Sequence, residues 1–598
     1  MAEEIATGHT GFINRKKEGS TKVMRAIALV FSVVVLLAWE GMARSPEREV
    51  VSFSITTNVG FGNNIHVAGN HPDLGNWNPV AALKLRWTSG NVWVGDVAIQ
   101  KGTALEYKFM SRSFASNQFC NGANAGWEGG ANRTRSLAPG PLAPYQGKVI
   151  YYYTSWSSPA IIYTSGGDTN FYFAPMIVAG PGRHAGEQLF RVEGIGEEGE
   201  WIQFVMTDGQ GQFDKSPFIT GVGAEGNDYY TGLDGFVLQD GHLFNYWPAA
   251  SVSAPRKEMR RVESGFFPPI TGRDVVVVLP RGYDSHPWKR YPVVYFQDGQ
   301  NITNGANVFG NGSWEADTTA HREAAGGRMR EVILVGVYSD PNTRRADYNP
   351  PGDTYVGEAA GRADAYLNFL VHNVRPTMDT HYRTLNDYRN TMIAGSSMGG
   401  ICSVYAATDT NVFGGALAMS PAVTRAPNYR DALPGKPKRP ARVYMDTGTS
   451  EGQVGTLPGG YYWDDPWIAY DHLVAAGYVP NRDVIMRVGC GQGHNEAAWR
   501  TRLPEAFRFL LPARDEPNRI AQTFWPPVIS WTGEGQPLAF AAHQHFRYQV
   551  EQSPPGGTAW TPASASLVET NPWAFRSLSS TSPVAEHQWF RIKSEPRD

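Results

Sequence analysis

The run Thr391-Met392-Ile393-Ala394-Gly395-Ser396-Ser397-Met398-Gly399-Gly400-Ile401-Cys402-Ser403-Val404 constrains this chain more than any other. It reads as an apolar strand, a glycine-framed turn and the opening of an apolar helix. A G-x-S-x-G turn between a strand and a helix is a nucleophile elbow, which holds its central serine in a strained conformation with the hydroxyl presented. Ser397 is that residue, and Ser396 is off centre. Gly395 and Gly399 are expected where a Cβ would collide with the neighbouring strand and helix. A serine hydroxyl is too weak an acid to attack unaided. A base and an orienting acid must therefore follow, in the order serine, acid, histidine.

The flanking sequence supplies the sheet such an elbow needs. Val275–Leu279, Tyr291–Phe296 and Val332–Val337 are largely apolar runs, the kind buried on both faces of a mostly parallel sheet. In Ala365–Val374, Tyr366, Phe369, Leu370 and Val374 recur at helical spacing, and Pro376 is expected to end that helix. Residues 256–513 are thus expected to form an α/β domain.

Downstream, His494 lies in a glycine-rich loop after the strand Ile485–Val488 and is the expected base. Two carboxylates compete as its partner. Glu451, at a loop tip, is preferred, because the acid must reach the far side of the imidazole. Asp446, at the end of the strand from Arg442, is the runner-up, and Asp464 and Asp465 are outsiders. The oxyanion needs two backbone N–H donors. Met398 is expected to supply one. Gln300 in the loop Gln297–Asn301 is the candidate for the other, with Asn301 as runner-up. Asp298 in that loop is read as structural, since a carboxylate beside a developing oxyanion opposes it.

The rest of the chain reads as β-structure. It holds 598 residues, too many for one core, and is rich in glycine (65) and proline (41). Residues 49–138 alternate apolar and polar between turn residues, as in a β-sandwich. A stiff Pro/Gly stretch runs from Leu137 to Pro144. Residues 150–250 form a second β-rich block, and 520–598 a small β-rich tail. The expected architecture is multidomain: an α/β-hydrolase domain preceded by two β-sandwich modules and followed by a small β-rich domain.

Net charge is −3 and no basic stripe is present, which argues against a nucleic-acid partner. Three cysteines are too few for a disulfide scaffold, and a Cys402–Cys490 bridge is one candidate pairing. The apolar run Ala26–Trp39 follows Arg15, Lys16, Lys17, Lys22 and Arg25 and precedes Gly41-Met42-Ala43. It is shorter than the roughly 20 residues of a bilayer span. Residues 1–43 therefore read as a secretory signal, which implies a secreted or periplasmic protein without stable membrane insertion.

Residues 256–513 resemble the putative esterase family, carbohydrate esterase family 1, which includes feruloyl and acetylxylan esterases. The matching runs are Tyr291–Asn301, Arg345–Tyr348, Ile393–Gly400 and Gly493–Trp499. The resemblance places the acid on Glu451, in Gly448-Thr449-Ser450-Glu451, where aspartate is commoner. It places the upstream oxyanion donor on Gln300. Residues 49–138 resemble a family-20 starch-binding module, with Trp77, Glu106, Lys108, Trp127 and Asn132 at the positions of its first sugar site. Residues 158–248 resemble a family-25 starch-binding sandwich through Asp208–Asp214, without its tryptophan-rich run. These resemblances imply a serine esterase removing acetyl or hydroxycinnamoyl groups from a polysaccharide or sugar ester, tethered to α-glucan and needing no cofactor or metal. The alternatives are acyl transfer to a sugar hydroxyl and a non-catalytic starch-binding protein.

Overall fold

The computed structural model describes residues 48–513, apart from loops that include 138–146, 218–227, 304–311 and 453–462, and strands between 538 and 596. The N-terminal apolar run with its expected cleavage point, and the Pro/Gly stretch from 138 to 144, lie outside the described residues. Among the described residues no helix is long and apolar enough to cross a membrane.

The first stretch folds as two facing antiparallel sheets. Arg48–Thr56, Val92–Gln100 and Arg86–Thr88 form one; Leu83–Lys84, Asn63–Gly69, Ala104–Ser113 and Gly126–Trp127 form the other, with Arg133–Ser136 alongside Ala104–Ser113. Side chains alternate faces along a strand. Val51, Phe53, Val67, Val97, Leu105 and Phe109 therefore meet in one buried core. Two five-stranded sheets follow between Lys148 and Phe244, packed across Ile150, Ile161, Phe190, Phe204 and Phe236. In the Asp208–Asp214 run, the Asp214 carboxylate accepts the hydroxyls of Tyr152 and Tyr229, each at 2.9 Å. It is a fixture of that core.

The α/β domain holds an eight-stranded sheet. Its strands are β1 (Arg256–Val262), β2 (Arg273–Leu279), β3 (Val293–Phe296), β4 (Ile333–Val337), β5 (Thr391–Ser396), β6 (Gly415–Met419), β7 (Arg442–Gly448) and β8 (Val484–Gly489). The order is β1-β2-β4-β3-β5-β6-β7-β8. β1 and β2 are antiparallel additions, and every pairing from β4 onward is parallel. Every residue of β3 to β6 is buried, which is why β3 and β4 read as apolar runs. Three helices matter for the site: α1 (Met398–Asp409), α2 (Asp465–Ala475) and α3 (Glu496–Leu510). Because β5 to β8 run parallel, the loops that leave them emerge at one edge of the sheet, where α/β proteins build their sites.

Two expectations are corrected here. Pro376 does not end its helix. The α-helix Ala363–Phe369 passes into a π-helical turn, Leu370–Val374, and continues as Arg375–His381. The Arg375 N–H reaches back to the Leu370 carbonyl, so the widened turn carries the chain past a proline that has no N–H to give. The second is the disulfide, which joins Cys490 to Cys120. Cys402 is a free thiol, fully buried on α1, and burial raises its pKa. It faces the core, whereas Cys490 lies exposed just beyond β8.

That disulfide crosses between domains. Phe119 of the first sandwich is buried in the core of the α/β domain, with Phe114 packed against it. Lys84 pairs with Asp471 of α2 at 2.7 Å. Asn481 Nδ2 donates to the Asp73 carbonyl at 3.3 Å. The two domains share packed side chains as well as chain connectivity.

Candidate active site

Ser397 sits between β5 and α1 at φ 57° and ψ −120°. That conformation is costly for a residue with a Cβ and persists only where surroundings enforce it. Here its N–H donates to the Met419 carbonyl at 2.9 Å, and its own carbonyl accepts from Ala422 at 3.0 Å and Ile401 at 3.2 Å. A Cβ at Gly395 would lie 2.4 Å from Gln297 Oε1 and 2.6 Å from the Gly399 backbone, so glycine is required. Gly399 is less constrained than expected: its nearest contact would be Gln297 Cβ at 3.3 Å. The Ser397 hydroxyl is buried and makes no hydrogen bond among the described residues.

His494 Nδ1 lies 2.9 Å from Glu451 Oε2. A carboxylate only accepts, so the contact puts a hydrogen on Nδ1 and leaves Nε2 as the basic nitrogen. The other Glu451 oxygen accepts the Ser420 hydroxyl and the Gly448 N–H, each at 2.7 Å. Ser420 Oγ in turn accepts from Trp499 Nε1 at 3.0 Å and from Arg502 at 3.1 Å, so its single hydrogen is left for Glu451. The Trp499 ring stands edge-on to the imidazole, with centroids 5.1 Å apart. Asp446 is fully buried and makes different contacts: its Oδ2 lies 2.9 Å from Arg502 Nε, and its Oδ1 accepts the Ser420 N–H at 3.0 Å. Burial raises its carboxyl pKa, and Arg502 opposes that rise. The structure thus places the preferred acid on the imidazole and the runner-up on Arg502.

The acid and base loops are joined directly. Thr449 N–H donates to the Gly489 carbonyl at 3.1 Å, Ser450 N–H to the Gln492 carbonyl at 2.9 Å, and Gly491 N–H to Thr449 Oγ1 at 2.8 Å. A Cβ at Gly448 would come within 2.2 Å of the Gln492 oxygen, so that approach needs glycine.

Two amides were expected to serve an oxyanion. Met398 opens α1, and the first helical bond is made by Ile401, so the Met398 N–H has no acceptor inside the helix. Gln300 occupies a 3-10 turn, Gly299–Asn301, in which Asn301 N–H donates to the Asp298 carbonyl at 2.9 Å. That bond spends the amide of the runner-up Asn301. Gln300 fixes the loop through its side chain: Nε2 donates to Ser339 Oγ at 2.7 Å, and Oε1 accepts Ser339 N–H at 3.2 Å. Asp298 is held by Arg344 through two contacts of 2.7 Å, which suits a structural carboxylate. The outsider Asp465 binds Thr424 at 2.7 Å, away from this network. Among the described residues no His/Cys/Asp/Glu cluster could hold a metal ion.

On the first sandwich, the Trp77 and Trp127 rings lie 6.4 Å apart at 47°. Asn132 Nδ2 donates to Glu106 Oε2 at 3.1 Å, and Lys108 Nζ to the Gly130 carbonyl at 2.7 Å. Of the five expected sugar-site residues, Trp127, Glu106 and Asn132 are exposed and Trp77 and Lys108 half-buried. Indole faces with polar groups beside them are the kind of surface on which a pyranose ring can stack.

Fold and site together define an esterase-type α/β domain with a serine on a strand-to-helix elbow and a paired His494 and Glu451 on two later strand exits, with a β-sandwich module docked against it. Residues 271–526 match the family described as putative esterase, and residues 49–139 match the starch binding domain, so the chain combines an esterase-family domain with a starch-binding module. An alpha-amylase of Streptomyces violaceus is 41% identical over 86 residues, 14% of each chain. A glucan 1,4-alpha-maltotetraohydrolase of Stutzerimonas stutzeri is 39% identical over 94 residues, 15% of each. The match thus spans about one-seventh of these relatives. A ferulic acid esterase structure from Anaeromyces mucronatus is 20% identical, with 44% of this chain and 92% of that one covered and a TM-score of 0.32. The enterobactin esterase of Shigella flexneri is 12% identical, with 78% and 96% covered and a TM-score of 0.33.

Ser420, Arg502 and Cys120 had no expected role. Arg502 left a signal in the sequence: it occupies the stripe of Ala498, Trp499, Leu503, Ala506 and Phe507, the buried face of α3. A charge in such a stripe needs a buried partner. Ser420 follows β6 beside the elbow, but a lone serine before Pro421 carries no distinctive pattern.

Proposed function

We propose that this chain is a serine carboxylic-ester hydrolase that removes acetyl or hydroxycinnamoyl groups from a polysaccharide or sugar ester while held on α-glucan. The observation that carries this reading is the 2.9 Å contact between His494 Nδ1 and Glu451, at the sheet edge where Ser397 stands on its elbow. Ser397 Oγ attacks the ester carbonyl carbon as His494 Nε2 takes its proton. The carbonyl π electrons move to oxygen, which the Met398 and Gln300 amides stabilise. Collapse of this intermediate breaks the bond to the alcohol, and the leaving oxygen takes the proton from Nε2. Water then attacks the acyl-serine, giving its proton to Nε2, and release of the acid returns that proton to Ser397. Glu451 keeps the ring oriented and stabilises the imidazolium.

The starch-binding module would raise the local concentration of ester-bearing substrate without altering the chemistry. The apolar run Ala26–Trp39 behind its basic flank supports a reading in which this work is done in the periplasm or outside the cell. Acetyl, butyryl and feruloyl esters assayed with and without soluble starch test the reading. Turnover of these esters is expected, and Ser397→Ala is expected to abolish it. Full activity in Ser397→Ala would sink the mechanism, and transfer products exceeding free acid would replace hydrolysis by acyl transfer.

A further inference from the structure

We propose that Phe114, Phe119 and Cys120 of the starch-binding module are positioning residues for catalysis, because they hold the two loops that carry His494 and Glu451. This rests on the assignment of those two residues as base and acid.

The base loop needs an external restraint. Gly489, Gly491 and Gly493 surround the residues leading to His494, and glycine leaves a backbone freer than any other residue. Cys490 lies within this loop and is bonded to Cys120, with the Cα atoms 5.9 Å apart. The Gly489 carbonyl and the Gly491 amide, on either side of Cys490, bind Thr449. The next carbonyl, of Gln492, accepts from Ser450. One covalent staple therefore fixes the base loop, and through three hydrogen bonds the acid loop as well.

The aromatic residues act on the far end of the acid loop. Gly452 follows Glu451, and its carbonyl accepts the Trp463 N–H at 3.0 Å. Trp463 is fully buried, and its ring lies 4.8 Å from Phe114 and 5.2 Å from Phe119. Trp467, on α2, packs against the same two rings at 5.7 and 6.1 Å. From the module side, the Arg112 guanidinium covers Phe119 at 4.1 Å. Phe119 is thus a plug, backed by one domain and filling the core of the other. Reacting groups need placement to a fraction of an ångström, and a misplacement of about 1 Å costs roughly 100-fold in rate. The module would therefore supply part of the order the catalytic loops lack.

The test uses the full-length chain with both cysteines changed, Cys120→Ala/Cys490→Ala. Active serines are titrated, and p-nitrophenyl acetate hydrolysis is measured well below the melting temperature. The expected result is a kcat per titrated site lower by about 10- to 100-fold, with KM within about twofold and starch retention unchanged. Phe119→Ala should behave likewise and Phe119→Leu should recover most of the rate, which keeps the proposal testable if the cysteine variant yields no folded protein. A lower melting temperature with unchanged kcat per titrated site, in either variant, would mean a merely structural role and overturn the proposal. Ser397→Ala separates the two levels. Activity in that variant removes the catalytic assignment itself, whereas an inactive Ser397→Ala beside fully active cysteine and Phe119 variants removes only the positioning role.

Discussion

Replacing Glu451 by glutamine tests the catalytic assignment most sharply, because the structure dictates how the new amide must sit. Glu451 Oε1 accepts two hydrogens, from Ser420 Oγ and from Gly448 N–H, each at 2.7 Å. Only the amide oxygen can take that place. The amide NH2 is then forced to the position of Oε2, 2.9 Å from His494 Nδ1. Two donors cannot face each other, so Nδ1 must become the acceptor and the ring hydrogen moves to Nε2. A protonated Nε2 cannot take the serine proton. Locking a triad histidine in the wrong tautomer costs about 10⁴ in kcat, or about 5.4 kcal/mol of transition-state stabilisation. The assay is p-nitrophenyl acetate hydrolysis by Glu451→Gln, with folding checked by near-UV circular dichroism and thermal unfolding. A kcat above about one-tenth of the parent value, in a folded variant, would refute the reasoning and return Asp446 to consideration.

Three further outcomes follow from the same geometry. Arg502→Met leaves the buried Asp446 and Glu451 carboxylates without their shared cation, and should cost about 3–5 kcal/mol in urea unfolding; adding Asp446→Leu should restore much of that loss. Burial pushes the Asp465 carboxyl up to about 7 from an ordinary 3.8. The folded state therefore binds more protons than the unfolded one between those values, and this contribution to stability is full below pH 3.8 and lost as pH rises through about 7. Asp465→Asn, which keeps the oxygen that accepts from Thr424, should remove a slope of about 1.4 kcal/mol per pH unit within that window, and an unchanged slope would count against the assignment. Trp77→Ala should weaken retention on soluble starch by about tenfold, near 1.4 kcal/mol, while kcat on a small soluble ester stays at the parent value; native affinity electrophoresis and the ester assay read the two effects separately.

What could be read from sequence, and what could not, divides along physical lines. The elbow was legible because its requirements are local. A strand, a serine at positive φ and a helix are encoded within a few residues, and Gly395 is needed for contacts that can be named in advance. His494 and an acid before it were expected from order along the chain, since the fold puts them on successive strand exits, and Glu451 was preferred to Asp446 because it stands on the loop rather than in the strand. The elements that join these groups were not. Ser420 gives its only hydrogen to the acid because Trp499 and Arg502 fill its acceptor sites, a property of three segments brought together by packing. Arg502 was visible only as a misplaced charge on an apolar helix face. The partner of Cys490 was the least accessible, because its spacing in sequence is 370 residues and it crosses a domain boundary. The contact that chooses Cys120 over Cys402 is the seating of Phe119 in a core made by another domain. A resemblance that treats the two domains as separate modules has no place for such a contact. If the positioning role holds, the unit of function is the docked pair, and truncating the starch-binding module should lower catalysis on small soluble esters as well as adhesion to starch.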